Sequence, residues 1–353
     1  MRKSVIMLTL VTIFALLFAA CGGQEAPAQE APQVSESSEA APAAEPAKET
    51  TSEEPAPQVM QSGLTIGMAT HEHPGDSTFW GTVELGAKDA SAALGIELKS
   101  SGSGDPTEQA QIVDTYVSDG VDGIIVSLAN PEAMQDSVKS AIDAGIPVIT
   151  INSGVAVWKE LGALTHVGQS EFPAGAGAGE QFNAIGLKNV ICVVHEEANI
   201  GLEERCDGLE STFGGEIDRF NVSSTGTGDI AGTLASIQDK LIADDSIDGV
   251  LTLNPDVGIA ARDAIAAAGV GDRVTLGTFD LSGPVLEAVS AGEILFAIDQ
   301  QPYLQGYLPV VMLSLFNTNL NVVGGGNPVL TGPGFVTPDT ADAVMELAAG
   351  GSR

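Results

Sequence analysis

Between Leu64 and Ile298 the chain repeats one unit: a short β-branched apolar run that closes on a polar residue, followed by an amphipathic stretch of helical length. Ile146-Pro-Val-Ile-Thr-Ile-Asn152, Gly249-Val-Leu-Thr-Leu-Asn254, Val274-Thr-Leu-Gly-Thr-Phe-Asp280 and Ile294-Leu-Phe-Ala-Ile-Asp-Gln300 all have this form. The apolar runs predict strands near 64–69, 96–100, 122–127 and 146–151, separated by helical patterns over Phe79–Ala93, Thr107–Ser118 and Glu132–Ala144. Gly95, Gly120 and Gly145 follow those helices, where a left-handed cap favours glycine. A second series has strands near 189–194, 218–223, 249–253, 273–278 and 294–298, with helices beginning near Phe172, Gly201, Asp229, Asp256 and Pro284. Strands alternating with helices in two series predict an α/β protein of two doubly wound, Rossmann-like lobes.

The segment Gly154–Gln169 breaks the rhythm, carrying only the short run Ala163–Val167, and is expected to be a crossover between lobes. A last helix over Tyr303–Phe316, the stretch Gly324-Gly-Gly-Asn-Pro328 and a final run Val329–Val336 suggest further passages and a multi-strand hinge. On this reading residues 63–168 and 301–328 form an N-terminal lobe, and residues 169–300 and 329–345 a C-terminal lobe. Parallel sheets bind ligands at the carboxyl ends of their strands, so the terminal Asn, Asp and Gln side chains point to a small polar guest in a cleft between lobes.

The first residues do not belong to this pattern. Met1-Arg2-Lys3 and the apolar run Val5–Ala20 read as a signal peptide over residues 1–20, too short for a comfortable membrane span. Leu17-Phe-Ala-Ala-Cys21 resembles the lipobox of bacterial lipoproteins, which implies lipidation at Cys21; the alternative is an ordinary signal peptide cut near Ala20. Residues 21–62, rich in Ala, Pro, Glu, Ser and Gln, lack the apolar residues a core requires and read as a disordered tether. The expected location is therefore outside the cytoplasm, either anchored to the outer face of the cytoplasmic membrane or periplasmic. With 47 acidic against 14 basic residues and a formal net charge of −33, nucleic acid and anionic lipid are poor partners. Cys192 and Cys206 remain: in an oxidising compartment they invite a disulfide, with two buried thiols as the alternative.

Asp76-Ser-Thr-Phe-Trp80, Ile146-Pro-Val-Ile-Thr150, Glu204-Arg-Cys-Asp-Gly208, Leu276-Gly-Thr-Phe-Asp280 and Ile298-Asp-Gln-Gln-Pro302 occur in the order and spacing of a known family. From Leu64 to about Val336 the chain resembles type I periplasmic solute-binding proteins of the ribose and galactose class, the receptors of sugar ABC importers. The resemblance implies a monomeric receptor that closes over a small neutral sugar or polyol and docks on an ABC permease, with no cofactor, metal or catalytic residue. It places Phe79 and Trp80 as the aromatic pair, Ser127 and Asn152 on the first lobe, Arg205, Asn254, Asp280 and Gln300 on the second, and Gln169 at the crossover. Where ribose receptors carry an Asp-Arg pair this chain has Asn152-Ser153, which argues against ribose itself.

Other functions remain open at the level of sequence. One is a receptor of the same fold for a nucleoside or signalling molecule that feeds a sensor kinase. Another is an exported carbohydrate-active enzyme using Asp280 with Glu196 or Glu197 as its carboxylate pair. There is no Gly-x-Ser-x-Gly, His-Glu-x-x-His or Walker sequence to favour catalysis. His71-Glu72-His73 and His195 read as loop or cleft residues, and Gly175-Ala-Gly-Ala-Gly179 as a surface for close helix packing instead of a dinucleotide loop. Replacing Arg205 or Asp280 by alanine is expected to abolish ligand-induced stabilisation and leave the unliganded melting point intact.

Overall fold

The computed structural model describes residues 63–353; the stretches read as a signal peptide and a tether, with Cys21, lie outside the described residues. The first series folds as β1 (Thr65–Thr70), α1 (Thr78–Leu94), β2 (Glu97–Gly102), α2 (Pro106–Asp119), β3 (Gly123–Ser127), α3 (Pro131–Asp143), β4 (Val148–Ile151), a single turn α4 (Trp158–Leu161) and β5 (Thr165–Gln169). The second follows as α5 (Glu171–Ala184), β6 (Asn189–Val194), α6 (Ile200–Thr212), β7 (Glu216–Asn221), α7 (Ile230–Ala243), β8 (Gly249–Thr252), α8 (Pro255–Ala268), β9 (Thr275–Phe279), α9 (Gly283–Ser290) and β10 (Phe296–Asp299). The chain ends with α10 (Pro302–Asn319), β11 (Val329–Gly332), β12 (Gly334–Val336) and α11 (Ala341–Ala349).

Two six-stranded sheets result, ordered β11-β5-β4-β3-β1-β2 and β12-β10-β9-β8-β6-β7. Every pairing in the first is parallel, and in the second only β12 runs antiparallel, against β10. Both faces of each sheet are covered, which is why the strands read as continuous apolar runs. In β3, Ile125 joins the core with α1 and α10, while Ile124 and Val126 join the core with α2 and α3. In β6, Val190, Cys192 and Val194 pack with α5 and α6, and Ile191 and Val193 with α7 and α8. The expected α/β class and the two doubly wound lobes are both present.

Two boundaries differ from the sequence reading. The segment Gly154–Gln169 is not simply a crossover: Thr165–Gln169 is β5, paired with β4 in the first sheet. Its polar Thr165 and His166 hid it, and the buried His166 is accommodated because its Nδ1 lies 2.9 Å from Thr150 Oγ1. Likewise Val329–Gly332, assigned to the C-terminal lobe, pairs with β5 as β11 of the first sheet. Pro333 has no N–H to donate to a ladder, so the run Val329–Val336 divides there and only Gly334–Val336 reaches the second sheet. The chain thus passes between the sheets after β5, after β10 and between β11 and β12.

Candidate functional site

Each sheet reverses its strand order beside its first strand, at β2-β1-β3 in one lobe and β7-β6-β8 in the other. Such switch points leave a crevice outside the carboxyl ends of the strands, and here the two crevices face each other. An inner chamber between them is walled by Phe79, Trp80, Asn152 and Ser153 of the first lobe, by Arg205, Leu253, Asn254 and Asp280 of the second, and by Gln300 beside the hinge. It continues into an outer vestibule of about 380 Å³, walled by Glu72, Asn130, Glu196, Asn199 and Thr227 among others. The lobes also touch: Asn152 Nδ2 donates to Gln300 Oε1 at 3.1 Å, Thr227 Oγ1 to Glu72 Oε1 at 3.0 Å and Ile200 N to Ala129 O at 3.1 Å.

The backbone presents these groups at some cost. Asn152, Ala198, Asp280, Gln301 and Leu320 are the non-glycine residues with positive φ among the described residues, and all but Leu320 line the cleft or adjoin a residue that does. Asn and Asp tolerate the left-handed region better than most residues, and strained φ values concentrate at binding sites. Gln300 links the lobes. Besides accepting from Asn152, its Oε1 accepts from Gln305 Nε2 at 2.9 Å, and its Nε2 donates to Asp280 Oδ1 at 2.7 Å. Burial pushes the Asp280 carboxyl up to about 7, although Arg205 and the Gln300 hydrogen bond pull the other way. Arg205 is itself held within its lobe: Nε donates to Glu171 Oε2 at 2.6 Å, Nη2 to Glu171 Oε1 at 3.1 Å and Nη1 to Leu253 O at 2.9 Å, while its Cζ lies 4.4 Å from the centroid of Phe279. The guanidinium charge is therefore matched by a fully buried carboxylate before any guest arrives.

Residues 68–316 match the family described as periplasmic binding protein domain. The chain belongs to this family. A carbohydrate transporter from Acidothermus cellulolyticus 11B, solved in complex with myo-inositol, is 39% identical and superposes with a TM-score of 0.79 over 82% of this chain and 99% of that one. The xylose/arabinose-binding protein of Sulfolobus acidocaldarius is 27% identical over 75% of this chain and 69% of its own length. The ribose import binding protein of Haemophilus influenzae is 25% identical over 71% of this chain and 84% of its own length. These relatives carry names of binding and transport proteins.

Within this binding protein, seven of the nine residues named from the sequence, Phe79, Trp80, Asn152, Arg205, Asn254, Asp280 and Gln300, wall one chamber. Asn254 both walls the chamber and caps a helix. Its Oδ1 caps α8, accepting from Asp256 N at 2.8 Å. Asp280 stands two residues before Ser282, which caps α9. The ion-pair partner of Arg205 is Glu171, from the first turn of α5. Ser127 and Gln169 stand one layer back from the chamber: Ser127 Oγ is taken up by His71, and Gln169 Nε2 donates to Glu171 Oε2 at 2.7 Å. Cys192 and Cys206 form a disulfide that ties β6 to α6 behind Arg205.

Sequence reasoning gave too little weight to His71, Glu72, His195, Glu196 and Asn199, which line both the chamber and the vestibule. The missed signal is a repeat: the dipeptide His-Glu follows β1 as His71-Glu72 and β6 as His195-Glu196, the two switch points. Burial lowers the pKa of both histidines, His195 to about 4, so both imidazoles are neutral at pH 7. Burial also raises Glu72 to about 7, reinforced by Glu196 across the cleft.

Proposed function

We propose that the chain is an exported receptor that captures one neutral polyol between its lobes and presents the closed form to an ABC permease, with a cyclitol of the myo-inositol kind as its guest. The observation that carries this reading is the convergence of Asn152 from one lobe with Arg205, Asn254, Asp280 and Gln300 on a single chamber. Carboxylate, amide and guanidinium groups suit a ring of hydroxyls, each of which donates and accepts, and the buried Trp80 indole beside them suits the C–H edges of such a ring. The charges disfavour an anionic guest. Arg205 is already balanced by Glu171, and Asp280 titrates near neutrality, so the chamber holds no spare positive charge for an anion. The choice of a cyclitol is supported by the 39% identity to the protein crystallised with myo-inositol. Anchoring through Cys21, a tether over residues 21–62 and a monomeric state complete the proposal.

Thermal-shift and calorimetric titration of the purified chain against cyclitols, pentoses, hexoses and nucleosides tests it. Myo-inositol is expected to bind with one site per chain and to raise the melting temperature as its concentration exceeds Kd, with no change to the polyol itself. Stabilisation by nucleosides alone, or chemical turnover of a carbohydrate, contradicts the proposal.

A further inference from the structure

His71 and Glu196 stand on opposite lobes, where the chamber opens into the vestibule, and their hydrogen bonds do not close on each other. The His71 side chain is only 10% exposed, and its ring sits edge-on to Trp80 with centroids 4.8 Å apart. Ser127 Oγ accepts the His71 backbone N–H at 2.9 Å and faces a further donor, Gln109 Nε2, at 3.3 Å. The acceptor within reach of the Ser127 O–H is His71 Nδ1, at 2.8 Å. In the neutral ring Nδ1 then accepts, and the proton resides on Nε2.

That Nε2–H has no acceptor at bonding distance. Glu196 Oε2 lies 3.7 Å away, beyond a direct hydrogen bond. The other neighbour, Asn199 Nδ2 at 3.4 Å, is a donor that already serves Glu196 Oε2 at 2.6 Å. Asn199 cannot turn its oxygen toward His71, because Oδ1 accepts from Gly201 N at 3.0 Å and from Ser153 Oγ at 3.3 Å. A donor of the first lobe and a carboxylate of the second therefore flank a gap that a hydroxyl oxygen, about 2.8 Å from each, would span as the apex of a triangle. A hydroxyl is the group that accepts from one and donates to the other.

We infer that His71 and Glu196 clamp a single ligand hydroxyl between the lobes, its oxygen accepting from His71 Nε2–H and its hydrogen donated to Glu196, and that this bridge selects among polyols and couples capture to closure. The inference rests on the polyol reading above. A site built to bond a hydroxyl rejects the analogue that lacks it, because the buried donor and carboxylate are then left unpaired.

Calorimetry on Glu196→Gln, His71→Phe and the double variant, with myo-inositol and its singly deoxygenated derivatives, tests the clamp. Each single substitution is expected to weaken myo-inositol binding by about 10- to 100-fold. The double variant should lose little more than either single one, because both act through one hydroxyl. One deoxy derivative should bind parent and Glu196→Gln alike. His71→Phe keeps the ring against Trp80 but strands the Ser127 hydroxyl; should it melt early, the near-isosteric Glu196→Gln and the deoxy series still decide. Full affinity in Glu196→Gln, or additive losses in the double variant, overturns the clamp while leaving the polyol reading intact. Failure of the parent chain to bind any cyclitol overturns both.

Discussion

At the residue scale the decisive pair is Arg205 and Glu171, because a side chain that walls the chamber is also held in a buried ion pair of its own lobe. Both are almost fully buried, so removing the guanidinium leaves an uncompensated carboxylate in the interior. Arg205→Met is expected to cost the unliganded protein about 3–5 kcal/mol, and Arg205→Met/Glu171→Gln to recover much of that loss without recovering ligand binding. Chemical denaturation with and without myo-inositol checks both. This revises the expectation from sequence that the unliganded melting point is indifferent to Arg205. The revision shows what a strand-end rule reads and what it leaves out. Position along a strand puts Asn152, Asn254, Asp280 and Gln300 on the chamber wall, because the carboxyl ends of parallel strands open onto the cleft. It does not fix which way a side chain turns: the hydrogen bonds of Ser127, at the end of β3, and Gln169, at the end of β5, hold His71 and Glu171. Glu171 itself was invisible, since an acidic residue in the first turn of a helix reads as ordinary dipole compensation.

At the scale of elements, two helix pairs set the geometry through glycine. A Cβ on Gly306 would come 1.8 Å from Val83 O, which brings α10 against α1 under the aromatic pair Phe79 and Trp80. In the second lobe a Cβ on Gly175 would come 1.9 Å from Arg205 O, and one on Gly208 2.1 Å from Phe172 O. The small-residue run Gly175–Gly179 is therefore a packing surface, as its position inside a helical pattern implied. These contacts hold α5, which carries Glu171, against α6, which carries Arg205. Gly208→Ala is expected to push the helices apart, costing about 1–3 kcal/mol of stability and weakening ligand binding as well, whereas an overpacked site remote from the chamber would move stability alone. Paired melting and titration curves distinguish the two. Most elements were legible because a buried parallel strand is a continuous apolar run; β5 was lost where Thr165 and His166 interrupt that run and tertiary hydrogen bonds repair it.

For the molecule as a whole, what matters is that the lobes close, and part of the closing contact titrates. Glu72 accepts from Thr227 across the cleft, and burial, aided by Glu196, raises its carboxyl to about 7. A raised carboxyl pKa means that the closed form holds a proton the open form releases, so this contribution to closure is complete below the ordinary carboxylate range and is lost as pH rises through about 7. Small-angle scattering of the unliganded chain is expected to give a larger radius of gyration at pH 8 than at pH 6, and Glu72→Gln should reduce the difference, the remainder belonging to Asp280, whose buried carboxyl is also raised to about 7. Bound polyol should override it, because contacts from both lobes then favour closure at either pH.

The shared chamber is tested most directly by the crystal structure of the chain grown with myo-inositol. The expected result is one polyol enclosed between Asn152 and Trp80 on one side and Arg205, Asn254 and Asp280 on the other, with a hydroxyl between His71 Nε2 and Glu196. Polyol density confined to one lobe, or lying outside this chamber in a chain that binds it in solution, would contradict the receptor mechanism.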